Sequence, residues 1–186
     1  MTNSSTRKIV VTGILGAISI VLASTPFGFI PMGAISITIM QLPAIIGAIL
    51  EGPVVGSGVG LIFGVASLVR AAVAPLSPAD VIFTNPLISV LPRIFIGPAA
   101  WFVYKLLGKL EIPAIILAGF FGSLTNTVLV LGMIGVLGIY PWAVLYPIAL
   151  TNGLPEAGII AFASVVIVAA IKQINLRRKP GANLSD

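Results

Sequence analysis

The run Pro53-Val-Val-Gly-Ser-Gly-Val-Gly-Leu-Ile-Phe-Gly-Val-Ala-Ser-Leu-Val-Arg-Ala-Ala-Val73 decides the fold. No charge interrupts it between Pro53 and Val69. A helix of this length is roughly 30 Å long, the thickness of the hydrocarbon core of a bilayer. Glu51-Gly52-Pro53 in front of it reads as one helix stopping and the next starting, because glycine favours the exit and proline the entry of a helix. Gly52, Gly56, Gly60 and Gly64 recur every fourth residue. They lie nearly in line on one face and form a groove that a second helix backbone can approach closely. The expected partner is another helix of the same chain.

Five further apolar runs lie on either side, giving spans at about 8–25, 35–51, 53–73, 82–106, 112–138 and 145–172, with boundaries good to about ±3 residues. Overall 58% of residues are hydrophobic and 8% charged, at a mean hydropathy of +1.17. Soluble domains carry about 25% charged residues to cover their surface, so the apolar surface of this chain must face lipid. The expected fold is an all-α membrane protein, residues 1–186 forming a single six-helix transmembrane substrate-binding domain in the cell membrane. A cleaved signal peptide is the alternative for the first run, since Arg7 and Lys8 precede an apolar stretch ending in Ala23-Ser24. The run is long for such a peptide, and its small-residue faces argue for packing against protein.

The net charge of +5 does not point to nucleic acid, because the basic residues form no stripe. Arg7 and Lys8 precede the first span, Lys105 and Lys109 lie between the fourth and fifth, and Lys172, Arg177, Arg178 and Lys179 follow the sixth. With six spans all eight share one side, against Arg70 alone on the other, and the positive-inside rule then puts both termini in the cytoplasm. The outer loops are rich in Pro and Gly, with Pro26, Gly28, Pro31 and Gly33 in the first, Pro75 and Pro78 in the second, and Pro141 and Pro147 around the third. The first, Thr25 to Gly33, is long and apolar for a simple turn, and a lid over an outward-facing pocket is expected there.

The chain has no His and no Cys. That removes thiol nucleophiles, imidazole or thiolate metal sites and the usual general base. No lysine lies inside the membrane to make a Ser–Lys dyad, and no GxxxxGK[ST] motif is present to bind ATP. Glu156 and Asp80 do not form a credible carboxylate pair. No catalytic residue, metal or cofactor is expected.

Two charges lie well away from the ends of their spans, Arg93 and Glu156. A charge at the bilayer centre costs about 2.5–3.5 kcal/mol on insertion scales, and such residues face a cavity or a partner. Both spans start on the outer side, and Arg93 lies eight residues beyond Asn85 and Glu156 eight beyond Ile148, a comparable depth of about 12 Å. Asn85, Ser89 and Arg93 share one face at i, i+4, i+8, and Asn152 and Glu156 are spaced i, i+4. Ser123, Asn126 and Thr127 add a polar face on the fifth run, and Gln41, with Thr38, one on the second. Pro86 and Pro92 interrupt the fourth run, and the Asn-Pro step biases Asn85 away from helix, which frees backbone groups near the site. One reading is an Arg93–Glu156 ion pair with amides gluing helices together. The other is a pocket for a small polar carboxylate, with Arg93 gripping the carboxylate in bidentate fashion and Asn126, Asn85, Asn152 and Gln41 meeting its hydroxyls and amides. The two coexist if Arg93 exchanges Glu156 for ligand.

The stretch Phe83-Thr-Asn-Pro-Leu-Ile-Ser-Val-Leu-Pro-Arg93-Ile-Phe-Ile-Gly97 resembles the fourth-helix segment of the S components of energy-coupling factor (ECF) transporters. Gly122-Ser-Leu-Thr-Asn-Thr-Val-Leu-Val-Leu-Gly132 and Thr151-Asn-Gly-Leu-Pro-Glu156 match as well, and the likeness covers essentially the whole chain. It implies a high-affinity binding subunit for a water-soluble vitamin, working with a transmembrane coupling protein and two cytoplasmic ATPases, and toppling in the membrane to move its pocket across. The family's docking motif of small residues on the first helix maps to Gly13 and Ala17, with Gly in place of the commoner Ala. Arg93 with Asn126 is most similar to the pantothenate-specific members, and folate is the runner-up. From other classes, a structural or assembly membrane protein and a self-sufficient small transporter or channel are the competing functions.

Overall fold

A computed structural model describes residues 4–25, 28–32, 35–75 and 78–172. The order of elements is α1 (Ser4–Ser24), β1 (Phe29–Met32), β2 (Ile35–Thr38), α2 (Leu42–Glu51), α3 (Pro53–Val73), a 3-10 turn (Pro78–Thr84), α4 (Pro86–Ser89), α5 (Leu91–Leu106), α6 (Glu111–Val136), α7 (Trp142–Ile148), a wide helical turn (Ala149–Gly153) and α8 (Leu154–Lys172). Among the described residues, five helical stretches are long and apolar enough to cross a membrane: Ser5–Ser24, Pro53–Val73, Pro86–Leu106, Glu111–Val136 and Trp142–Lys172. Large side chains left exposed, such as Ile9, Phe102, Val136 and Phe162, are apolar, as a lipid-facing surface requires.

The expected second span, 35–51, is where the structure departs from the sequence reading. Its helical part is the ten residues of α2, about 15 Å, which is half a hydrocarbon core. Residues 35–38 instead form β2, antiparallel to β1, with Phe29 opposite Thr38 and Met32 opposite Ile35. Pro43 sits in the first turn of α2. It has no N–H to offer the preceding turn, so a helix cannot run through from Ile35 without losing a hydrogen bond. The β-branched Ile35, Ile37 and Thr38 suit a strand instead. The helical bundle therefore carries one short hairpin. Pro26, Phe27, Gly33 and Ala34 of the expected lid lie outside the described residues, as do Arg177, Arg178 and Lys179.

Eight of the ten α2 residues are buried, and α2 packs against α1, α3, α5, α6 and α8. It leaves through Gly52, whose φ of 98° belongs to the left-handed region that suits glycine, and α3 starts at once on Pro53. The glycine face of α3 packs within the chain, on α5. A Cβ on Gly56 would lie 2.8 Å from Gly97 Cα, one on Gly60 2.1 Å from the Arg93 carbonyl oxygen, and one on Gly64 2.8 Å from Val90 Cα. Without a hydrophobic drive between helices in lipid, such backbone-to-backbone contact is what holds them.

Proline supplies a second adhesive. Pro98 has no N–H to donate to Ile94, and the freed carbonyl accepts Ser57 Oγ of α3 at 3.1 Å. At one end of the bundle Arg7 pairs with Glu51, and Lys172 Nζ reaches Tyr104 Oη at 2.6 Å and Glu111 at 3.4 Å. The α1–β1, α3–α4 and α6–α7 connections gather at the opposite end.

Candidate functional site

At that opposite end a cavity of about 230 Å³ lies among the helix ends. Arg93 is placed by the broken start of α5. Pro92 has no N–H for the carbonyl of Ile88, and that carbonyl accepts Arg93 Nη1 instead. The guanidinium lies between two rings, its centre 5.4 Å from Phe63 and 5.0 Å from Phe83. A cation over aromatic faces is held without a counter-ion. Its Nε is buried and has no hydrogen-bond partner.

Glu156 lies in the first turn of α8 and is buried. Gln41 Nε2 donates to its Oε1 at 2.6 Å, and the Thr38 backbone N–H donates to its Oε2 at 3.2 Å. Among the described residues no ion pair joins Arg93 to Glu156, and their partners do not overlap. Asn126 of α6 is buried, and its Oδ1 lacks a partner. Asn152 reaches the cavity from the wide turn ahead of Pro155, where Thr151 Oγ1 lies 3.3 Å from its Oδ1. Arg93 Nε and Asn126 Oδ1 are thus a buried donor and a buried acceptor without partners, in two side chains that line one cavity, an arrangement that costs free energy.

Arg93, Asn126, Asn152 and Glu156 thus line one cavity. The other three expected site residues do not. Asn85 caps α4, its Oδ1 accepting the Leu87 N–H at 3.0 Å. Ser89 donates to the Gly64 carbonyl at 3.1 Å and ties α4 to α3. Gln41 is fully buried one layer behind, spending its amide on Glu156 and, at 2.9 Å, on Ser123 Oγ. Sequence reasoning missed Phe63, Ser67 and Arg70, which reach the cavity from α3, and Phe83 and Asp80 from the 3-10 turn. Their spacing held a signal, since Gly60, Phe63, Ser67 and Arg70 share one helical face. Arg70 and Asp80 pair at 3.1 Å beside the cavity.

Two overlapping small-residue pairs on α1, Thr12 with Gly16 and Gly13 with Ala17, face different ways. Gly16 is buried, and a Cβ on it would meet Ile62 Cδ1 at 2.5 Å, while Thr12 Cγ2 fits over Gly58. Gly13 and Ala17 are exposed, and a Cβ on Gly13 would meet nothing within 4 Å.

Residues 7–168 match the family described as "ECF transporter, substrate-specific component". The chain is 33% identical over 153 residues to the "Pantothenic acid transporter PanT" of Lactococcus lactis subsp. cremoris, a match over 72% of this chain and 76% of that one. It is 34% identical over 102 residues to the "Pantothenate transporter PanT" of Leuconostoc mesenteroides subsp. mesenteroides, covering 52% of this chain and only half (50%) of that relative's length. These are transport proteins rather than enzymes. The extent of the family match and the apolar helices together identify the chain as a member of the ECF transporter substrate-specific components, a multi-pass protein of the plasma membrane.

Proposed function

We propose that this protein captures pantothenate from outside the cell and delivers it through an ECF module of one transmembrane coupling protein and two cytoplasmic ATPases. The observation that carries the reading is Arg93, a buried cation without a carboxylate partner among the described residues, lining one cavity together with Asn126, Asn152 and Glu156. Pantothenate has one carboxylate for Arg93, an amide for Asn126 and hydroxyls for Asn152 and Glu156. The cavity supports a small acid over folate. About 230 Å³ is below the roughly 300–1,000 Å³ of drug-sized ligand pockets, and a pterin with its tail needs more room. Titration calorimetry of the purified protein against pantothenate, folate, riboflavin, thiamin, biotin and niacin is expected to give sub-micromolar affinity for pantothenate. Sub-micromolar binding of folate alone would transfer the assignment, and binding of none would leave a structural membrane protein as the better reading.

The proposed topology has six crossings, with α2 and its hairpin together making the second, and both termini in the cytoplasm. The Arg7–Glu51 and Lys172–Glu111 pairs support it by gathering basic residues at the end away from the cavity. Because the chain has no Cys, a single cysteine at Pro75 should react with an impermeant maleimide on intact cells and one at Lys109 should not. The reverse labelling would invert the topology.

Gly13 and Ala17 are the proposed docking face for the coupling protein. Gly13→Leu is expected to leave pantothenate affinity within about threefold, since a bulky group there meets open space, and to abolish co-purification with the module. Full assembly of the variant would remove the role. Without the module and ATP no uptake into liposomes is expected, and uptake there would favour a self-sufficient transporter.

A further inference from the structure

Resting on the pantothenate reading, we infer that Gln41 and Thr38 lock Glu156 as an acceptor-only corner of the cavity, so that the carrier demands a hydroxyl donor there and rejects a ligand bearing a second anion. The residues behind Glu156 leave it little freedom. Its two oxygens each accept an N–H, one from Gln41 and one from the Thr38 backbone, which is the arrangement of a carboxylate anion. Gln41 is saturated, because its amide donates both to Glu156 and to Ser123 Oγ, while its Oε1 lies 3.4 Å from Thr38 Oγ1. That last contact places the Gln41 oxygen toward Thr38 and its NH2 toward Glu156. Fully buried and fully paired, Gln41 cannot touch a ligand and acts as a positioning residue.

A carboxylate has about four lone-pair directions, of which these two N–H groups take two and the Thr38 hydroxyl, also against Glu156, a third. What is left facing the cavity can only accept. A hydroxyl satisfies it, an ether or a bare methyl leaves it unpaired, and a phosphate or carboxylate sets like charges against each other in a water-poor site. Arg93 has the opposite character, a group that can only donate, and the two share no partner. The cavity is therefore polarised, with one place for a ligand's anion and another for its hydroxyl. Sites built to hydrogen-bond a substrate hydroxyl reject analogues without it by large factors, about 10⁴ in favourable cases.

The test uses the full chain in nanodiscs and three probes: pantothenate, the phosphate monoester of its primary hydroxyl, and the analogue lacking both hydroxyls. Wild type is expected to bind the monoester and the deoxy analogue each at least about 100-fold more weakly than pantothenate. In Glu156→Gln and in Gln41→Leu the preference for pantothenate over the deoxy analogue should fall at least about tenfold from its wild-type value, pantothenate losing more affinity than the analogue. A merely structural role for Gln41 would weaken both ligands alike, and that result overturns its assignment. If wild type binds pantothenate tightly and the monoester within tenfold, the selection against a second anion is refuted while the pantothenate reading stands. If pantothenate does not bind wild type, it is the pantothenate reading that fails. The wild-type ratios need no variant, so a monoester or deoxy analogue bound within tenfold of pantothenate refutes the selection even where a substitution prevents folding.

Discussion

Arg93→Ala is expected to weaken pantothenate binding at least about 100-fold, the largest effect of any single substitution in the cavity. Hydrogen bonds to a charged group contribute about 1.5–3 kcal/mol, and leaving the ligand's carboxylate buried without its partner raises the loss to about 2–5 kcal/mol. Each 1.4 kcal/mol is a factor of ten. The loss falls on binding more than on folding. In the free protein Arg93 has the Ile88 carbonyl and the faces of Phe63 and Phe83 as partners, and no carboxylate is orphaned when it goes. The buried Ile88 carbonyl does lose its donor, so thermal stability without ligand should fall by about 1–3 kcal/mol, less than the loss in affinity. Arg93→Lys should recover only part of the loss, because an ammonium cannot reproduce the fork that grips a carboxylate while another nitrogen holds Ile88. Titration calorimetry reads all three, and an Arg93→Ala protein within threefold of wild type would remove Arg93 from the site.

The second large effect is expected at a residue that never touches the cavity. In Gly60→Ala the new methyl would lie 2.1 Å from the Arg93 carbonyl oxygen and 2.9 Å from its carbon. Both are backbone atoms, so no side chain can swing aside, and α3 and α5 must separate. Overpacking of this kind costs about 1–3 kcal/mol, and more where nothing yields. The separation moves the residue that carries the cation, so affinity should fall at least about tenfold together with a lower melting temperature. Gly13→Ala is the matched control, one methyl added on a neighbouring helix with nothing within 4 Å, and both quantities should hold. Equal behaviour of the two variants would refute the claim that the glycine face sets the position of Arg93.

What could be read ahead of the structure was whatever lipid forces on a chain. The length of α3, the glycine face and its partner within the chain, and the burial of Arg93, Asn126 and Glu156 all follow from apolar runs and from the cost of buried charge. The hairpin could not be read in this way. Ile35, Ser36, Ile37 and Thr38 extend an apolar run, and in a membrane protein such a run reads as more helix. Asn85 and Ser89, expected at the site, meet backbone groups in the structure and do not line the cavity. Asn85 at the start of α4 is claimed by the Leu87 N–H, and Ser89 at its end by the Gly64 carbonyl of α3. Phe63 and Phe83 went unassigned because a phenylalanine in an apolar run carries no mark of the cation it flanks.

The ten-residue length of α2 has a consequence for what the ligand does to the protein. A full-length helix at that central position would run from end to end and make a solid post. Here the post stops halfway. Thr38 and Met40, just ahead of its first turn, already border the empty space. Pantothenate would occupy the room of the absent turns and serve as the upper half of the central post. Its departure would leave the protein hollow at one end and rigid at the other.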